Sequence, residues 1–222
     1  MSAGGSSTQV VGVFALPNVV LFPRAVLPLH IFEPRYRAMT ADALGSDRQF
    51  AVALLRPGWE KDYHDKPAIH PVVCIGRILT HEKLPDGKYN LLLQGHTRAR
   101  IVTELYDHRY RVAEVETLKE TPVLEIDLEQ QRRLMLRLFE ETPLSSLAAS
   151  GSFRQLLRSL VPTPHLADLL AFNFLEDVEL KQSLLEEADV RTRVGRIVAA
   201  IQAIAPTIRS GLRGYPTTPG LN

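Results

Sequence analysis

The sequence predicts an α+β protein in which a β-rich part precedes a helical part. Short apolar runs and alternation dominate up to about residue 119, and a 3.6-residue apolar period takes over after it. Prolines punctuate the early runs, and helices follow one another instead of alternating with strands, which argues against a doubly wound sheet. The 222 residues are 45% hydrophobic and 23% charged, an ordinary globular composition with enough chain for one large or two small domains. Lys+Arg 26 against Asp+Glu 25 leaves a net charge of +1, without the basic excess that nucleic-acid binders usually carry. Nucleic acid is therefore not an expected partner. A single cysteine, Cys74, excludes an internal disulfide and fits a reducing compartment. Residues 1–9 lack a basic-then-apolar secretory pattern, and no run reaches the roughly 18–20 apolar residues of a membrane span. A cytoplasmic protein with no membrane partner is the expectation.

In the β-rich part, 12–16 and 26–32 are apolar runs, and Pro17, Pro23 and Pro28 assign this region to edges, bulges and turns. Pro34 stands where a first helical residue tolerates the missing N–H, so 35–44 reads as a helix ending near Gly45. Residues 50–55 form a third run. The polar loop 56–67 follows and holds the only tryptophan, Trp59. Residues 72–84 and 88–105 are long, aliphatic and joined by Pro85-Asp86-Gly87, a hairpin turn because proline presets φ and glycine accepts positive φ. Residues 110–118 alternate as a half-buried strand does.

In the helical part, Asp127 followed by Gln130 resembles a capping box opening 128–141. Thr163-Pro164 signals a helix running to about 175, and 177–187 reads as another. Asp189 caps the clearest helix, in which Val190, Val194, Ile197, Val198, Ile201 and Ile204 keep one face. The faces at 128–139 and 190–204 read as core. The division expected is a disordered 1–9, a β-rich domain at 10–119, a helical bundle at 120–209 and a flexible tail at 210–222.

Chemistry-bearing residues are sparse. Cys74 sits in Val72-Val73-Cys74-Ile75, an apolar setting that suits a core thiol and not a nucleophile with a lowered pKa. His64, His70, Cys74 and His81 lack the short paired spacings of structural zinc sites, so no catalytic residue, metal or cofactor is expected. Trp59 and Tyr63 lie in a polar loop. Exposed aromatics there suit peptide contact, and folding back onto the strands is the alternative.

Several stretches resemble one family. Phe14-Ala15-Leu16-Pro17-Asn18-Val19-Val20-Leu21-Phe22-Pro23 with Leu27-Pro28-Leu29-His30-Ile31-Phe32-Glu33-Pro34-Arg35-Tyr36 looks like the opening signature of the amino-terminal domain of Lon ATP-dependent proteases. The Leu84–Tyr89 turn and the following Gln94-Gly95-His96-Thr97-Arg98 are similar to its second signature. The likeness runs over roughly 10–205 in the family's order. It implies a six-stranded, PUA-like β pseudo-barrel with one packed helix, followed by a helical bundle. A Lon ATPase would need Gly-x4-Gly-Lys-Ser/Thr to cradle phosphates. The one Gly-Lys pair, Gly87-Lys88, precedes Tyr89 and belongs to a turn.

The resemblance thus implies a stand-alone, non-catalytic relative of the substrate-recognition region. Its expected partners are unfolded or apolar polypeptide segments, with a protease or chaperone in trans. Trp59, Tyr63, Phe22 and Leu27 are the expected peptide contacts. Glu33, Arg35 and Arg98 are expected to form an ion pair fixing the barrel against its helix, and Gly87 is expected to be structural. Two rivals stand beside this reading. One is a small-ligand or enzymatic domain with a pocket between barrel and bundle. The other is a scaffold for a folded partner, resembling the Lon-like region of the ubiquitin-ligase substrate receptor cereblon but without that receptor's zinc-binding ligand domain.

Overall fold

The computed structural model describes residues 8–62, 66–106, 108–146 and 150–207. Among these the strands are β1 (Thr8–Leu16), β2 (Val26–Ile31), β3 (Gln49–Leu54), β4 (Val72–Lys83), β5 (Tyr89–Leu105) and β6 (Val112–Thr117). The helices are α1 (Pro34–Leu44), α2 (Glu129–Glu141), α3 (Ser150–Leu157), α4 (Thr163–Phe174), α5 (Val178–Glu186) and α6 (Val190–Ile204). The chain divides into two compact units, Met1–Lys119 with Val178–Glu186, and Glu120–Asp177 with Glu187–Asn222. The expected division at residue 119 therefore gains an exception, because α5 joins the β-rich unit. β1 also opens at Thr8, pairing with Glu116, two residues before the expected start of order.

The sheet order is β2-β5-β4-β3-β1-β6, and β5 pairs with β6 as well. That extra pairing closes β1, β3, β4, β5 and β6 into a ring. The 17-residue length of β5 makes closure possible. Along one edge its first half pairs with β2 and its second half with β6, while the other edge pairs with β4. Irregularities at Ile75/Gly76, Ile78/Thr80 and Ile101/Thr103 bend the long strands, as bulges at barrel corners do. β1 and β3 run parallel, the connection between them carrying β2 and α1.

Small and branched residues fill the interior: Val13, Ala51, Ala53, Val73, Ile75, Ala99, Ala113 and Val115 are all fully buried. Cys74 is buried too. The β4–β5 turn has the expected chemistry. Gly87 N donates to Leu84 O at 2.9 Å, and Gly87 adopts φ +80, a left-handed conformation that side chains disfavour. Hydrogen bonds from Lys88, side chain first and backbone second, hold the Asp86 carboxyl below its usual range.

α5 is fastened by polar groups at several points. Gln182 Nε2 donates to Val72 O at 2.9 Å, His70 Nδ1 donates to Glu186 Oε1 at 3.3 Å, and Arg98 Nε donates to Leu185 O at 3.2 Å. The last contact places a guanidinium at a helix C-terminus, where the unpaired carbonyls favour a cation.

In the second unit, Phe139, Phe153 and Phe174 pack with ring centroids 5.1–5.6 Å apart. α6 is capped as its sequence predicts: Thr192 N donates to Asp189 Oδ1 at 2.7 Å, and this hydrogen bond keeps the Asp189 carboxyl below its usual range. Two other caps differ from expectation. Asp127 pairs with Arg191 at 3.1 Å, and α2 starts from Leu128 with no side-chain cap. α4 begins at Thr163, whose N–H and hydroxyl both donate to the Glu125 carboxylate, at 2.9 and 2.7 Å, so a distant carboxylate supplies the cap. Arg193, on the buried face of α6, is 1% exposed. It lies 3.5 Å from Asp168 and 2.8 Å from Glu120 and donates to Glu187 O, which satisfies a charge that burial alone would penalise.

Candidate polypeptide-binding surface

β2 alternates strictly. Leu27 and Ile31 turn inward and are buried, while Val26, Pro28 and His30 turn outward. β5 matches it across the ladder, with Leu91 and Leu93 buried and Leu92 exposed opposite Pro28. Leu92 also pairs with Thr80 of β4, beside the irregularity that leaves Leu79 47% exposed. Val26, Leu92 and Phe32 are each 37–41% exposed. The outward face of β2, β5 and β4 thus presents a row of large apolar side chains, of the kind that marks interaction surfaces when contiguous. At one end His30 donates from Nδ1 to Asn90 Oδ1 at 2.7 Å and stacks against Phe32 with centroids 6.3 Å apart. Arg24 and Arg77, both exposed, stand at the other end.

The edge of this face is open as well. β2 ends the sheet order and pairs, among the described residues, only with β5. Its outer edge therefore offers backbone groups for an added strand. Pro28 removes one N–H from β2, and prolines are tolerated in sheets at such edges.

The residues expected to touch peptide fall elsewhere. Phe22 is fully buried, under the Arg98 guanidinium at 5.8 Å, and Leu27 is on the inner face of β2. Neither side chain offers surface, because the strand's alternation and the return of the 22–25 segment onto Gly95 turn both inward. Trp59 is half-buried in a 3-10 turn, Trp59–Asp62, and packs against the barrel interior, the alternative weighed for that loop. Tyr63 lies outside the described residues. The sequence reading missed Val26, Phe32, Leu79 and Leu92, although strand alternation in 26–32 and 89–93 would have marked Val26, Phe32 and Leu92 as facing away from their buried neighbours.

Glu33 and Arg35 do form an ion pair, at 2.9 Å and half-buried, at the start of α1. Arg98 stands apart from it, 4% exposed, and binds α5 through Leu185 O. The barrel is tied by Arg98 to a helix that follows it by some 90 residues in sequence, not to α1.

Comparison with known proteins gives one consistent result. Residues 10–203 match the family model described as the ATP-dependent protease La (LON) substrate-binding domain. The chain is 29% identical over 194 residues to Lon protease 2 of Myxococcus xanthus, covering 84% of this chain and 22% of that one. It is 30% identical over 192 residues to Lon protease 2 of Herpetosiphon aurantiacus, covering 86% and 23%. The chain thus spans under a quarter of the length of these relatives. Among solved structures, the N-terminal domain of a Mycobacterium avium complex Lon protease superposes with a TM-score of 0.68 at 18% identity, covering 87% of this chain and 98% of that one. A Lon N-terminal domain protein from Xanthomonas campestris superposes with a TM-score of 0.63 at 23% identity, covering 86% and 98%. No described helix is long and apolar enough to cross a membrane.

Proposed function

The chain belongs to the family of ATP-dependent protease La (LON) substrate-binding domains, and from that premise we propose that it is a non-catalytic module that captures apolar polypeptide segments and holds them for a protease or chaperone acting in trans. The observation that carries this reading is the apolar row Val26, Phe32, Leu79 and Leu92 beside the open edge of β2. An extended segment adds to that edge through backbone hydrogen bonds. Its alternate side chains then lie over the apolar row, which reads hydrophobicity and not sequence.

Short segments bind such a surface with micromolar affinity, about −8 kcal/mol, after the cost of ordering a flexible chain. Salt has little effect, because the contacts are apolar and the backbone is neutral. Fluorescence anisotropy with labelled apolar peptides tests the proposal, using wild type and Leu92→Glu, which sets a charge in the middle of the face. Leu92→Glu should raise Kd by about tenfold or more, the effect of removing one anchor and desolvating a carboxylate. Wild-type affinity in Leu92→Glu moves the site off this face. If no apolar peptide binds the wild type at high micromolar concentration, capture itself is wrong, and a specific folded partner takes its place.

A further inference from the structure

A concave feature of the barrel unit lies apart from the apolar face, sharing none of its residues. Side chains from the start of α1, from 66–67 and from the 108–111 segment line an open cleft of about 320 Å3 with Ala15 and Leu55, within the size range of small-ligand sites. Among the described residues its charged lining is all of one sign: Arg35, Lys66, Arg109 and Arg111, with His108 beside them. No carboxylate lines it among the described residues. In a chain of net charge +1, this is a local concentration of cations and not a basic surface.

Two of the guanidinium groups are fixed in place. Arg111, 9% exposed in its side chain, donates from Nε to Glu104 at 2.9 Å and from Nη2 to Pro67 O at 2.8 Å. Arg35 donates to Glu33 at 2.9 Å, and its guanidinium lies 4.7 Å from the Tyr36 ring. The glutamates offset part of the charge while they hold the forks rigid, so an arriving anion orders little. Lys66 and Arg109 are exposed and have no carboxylate within 4.0 Å among the described residues. Among the described residues these two supply the charge that no carboxylate offsets, with the Lys66 ammonium 4.7 Å from the Tyr106 ring.

We propose that this cleft binds a small phosphate-bearing ligand, a phosphate ester or diphosphate no larger than a mononucleotide. Planar guanidinium groups match the oxygens of a phosphoryl group in pairs, and a dianion meets a cluster of several cations more fully than a single carboxylate does. The cleft's limited volume selects a small molecule over a polymer.

The test is isothermal titration of the full chain at low salt with inorganic pyrophosphate, AMP, citrate and a single-stranded oligonucleotide. Pyrophosphate or AMP should bind saturably. Arg109→Glu and Lys66→Glu should each raise Kd by about tenfold or more, and Arg109→Lys, which keeps the charge but loses the planar fork, should weaken binding less than Arg109→Glu does. Preference for AMP over pyrophosphate assigns the ligand as a nucleotide, and the reverse assigns a simple phosphate compound. Both altered side chains are exposed, so the variants should keep the wild-type thermal melt, and a folded variant that still binds normally overturns the proposal. It is equally overturned if no anion binds saturably, if citrate binds as well as the phosphates, or if the oligonucleotide binds more tightly than either.

Discussion

Adding one methyl group at Gly95 and one at Gly87 separates two kinds of glycine requirement, one set by backbone neighbours and one by a flexible side chain. A Cβ on Gly95 would stand 2.0 Å from Phe22 O and 2.8 Å from Phe22 C. Both backbone groups of Gly95 are already engaged, its N donating to Ala25 O at 2.8 Å and its O accepting from Arg24 N at 2.8 Å. The clash can be relieved only by moving the 22–25 segment, which surrenders these two hydrogen bonds. Overpacking costs about 1–3 kcal/mol and each lost hydrogen bond about 0.5–1.5 kcal/mol, so Gly95→Ala should destabilise by roughly 2–6 kcal/mol. A Cβ on Gly87 would meet Arg37 Nη2 at 2.2 Å, the far end of a flexible side chain that swings away at little cost. What remains is the left-handed backbone at φ +80, about 1–2 kcal/mol for an L-residue, less the gain from stiffening the unfolded chain. Urea denaturation followed by far-ultraviolet circular dichroism compares the two variants. The 22–25 segment leads directly into β2, so Gly95→Ala should also speed hydrogen exchange at 26–31, while Gly87→Ala leaves it unchanged. If Gly87→Ala costs as much as Gly95→Ala, or if Gly95→Ala is neutral, the distinction between backbone and side-chain neighbours is refuted.

Trp59→Ala should lower stability by about 2 kcal/mol, part of the cost of emptying a core aromatic, and leave apolar-peptide affinity unchanged; weaker binding with an unchanged melt would return Trp59 to the binding surface. Asp189→Ala should melt below wild type at neutral pH. The Asp189 carboxyl is held below its usual range, so its stabilisation is present above the unfolded carboxylate pKa and lost as pH falls through the folded one; the gap between the two melts should therefore close in acid. Burial, the hydrogen bond to Asp42 and that carboxylate's charge push Tyr110 up to about 12. A phenol raised in this way stabilises the fold fully below the unfolded value near 10 and loses that contribution as pH rises toward 12. Absorbance titration at 295 nm should lose a late-ionising phenol in Tyr110→Phe relative to wild type, and an unchanged late phase would show that Tyr110 does not contribute to it.

What the sequence determined by itself is the local part of the fold. Pro85-Asp86-Gly87 set a turn with positive φ at the third position, Pro34 opened α1, and Asp189 capped a helix whose apolar face runs from Val190 to Ile201. Each of these depends on groups within about four residues, so the pattern and the physics share the same window. The order of signatures across 10–205 also identified the family and thereby the barrel, which periodicity alone left open. Tertiary structure decided everything that depends on distant neighbours. β5 reads as one long strand, yet only its partners show that it meets β2 on its first half and β6 on its second, closing the ring. α5 reads as one more helix of a bundle, but Gln182, Glu186 and the carbonyl of Leu185 find Val72, His70 and Arg98 on the barrel. Ser150–Leu157 is too short to announce itself, and Arg132 stabilises the turn after it by donating to the carbonyls of Leu157, Ser159 and Val161. The proposed binding face followed the same rule. Phe22 and Leu27 have the composition of a hydrophobic anchor, but whether an apolar residue meets solvent or core is set by what packs across from it. That information resides in Gly95, Arg98 and the partner strand, more than sixty residues further along the chain.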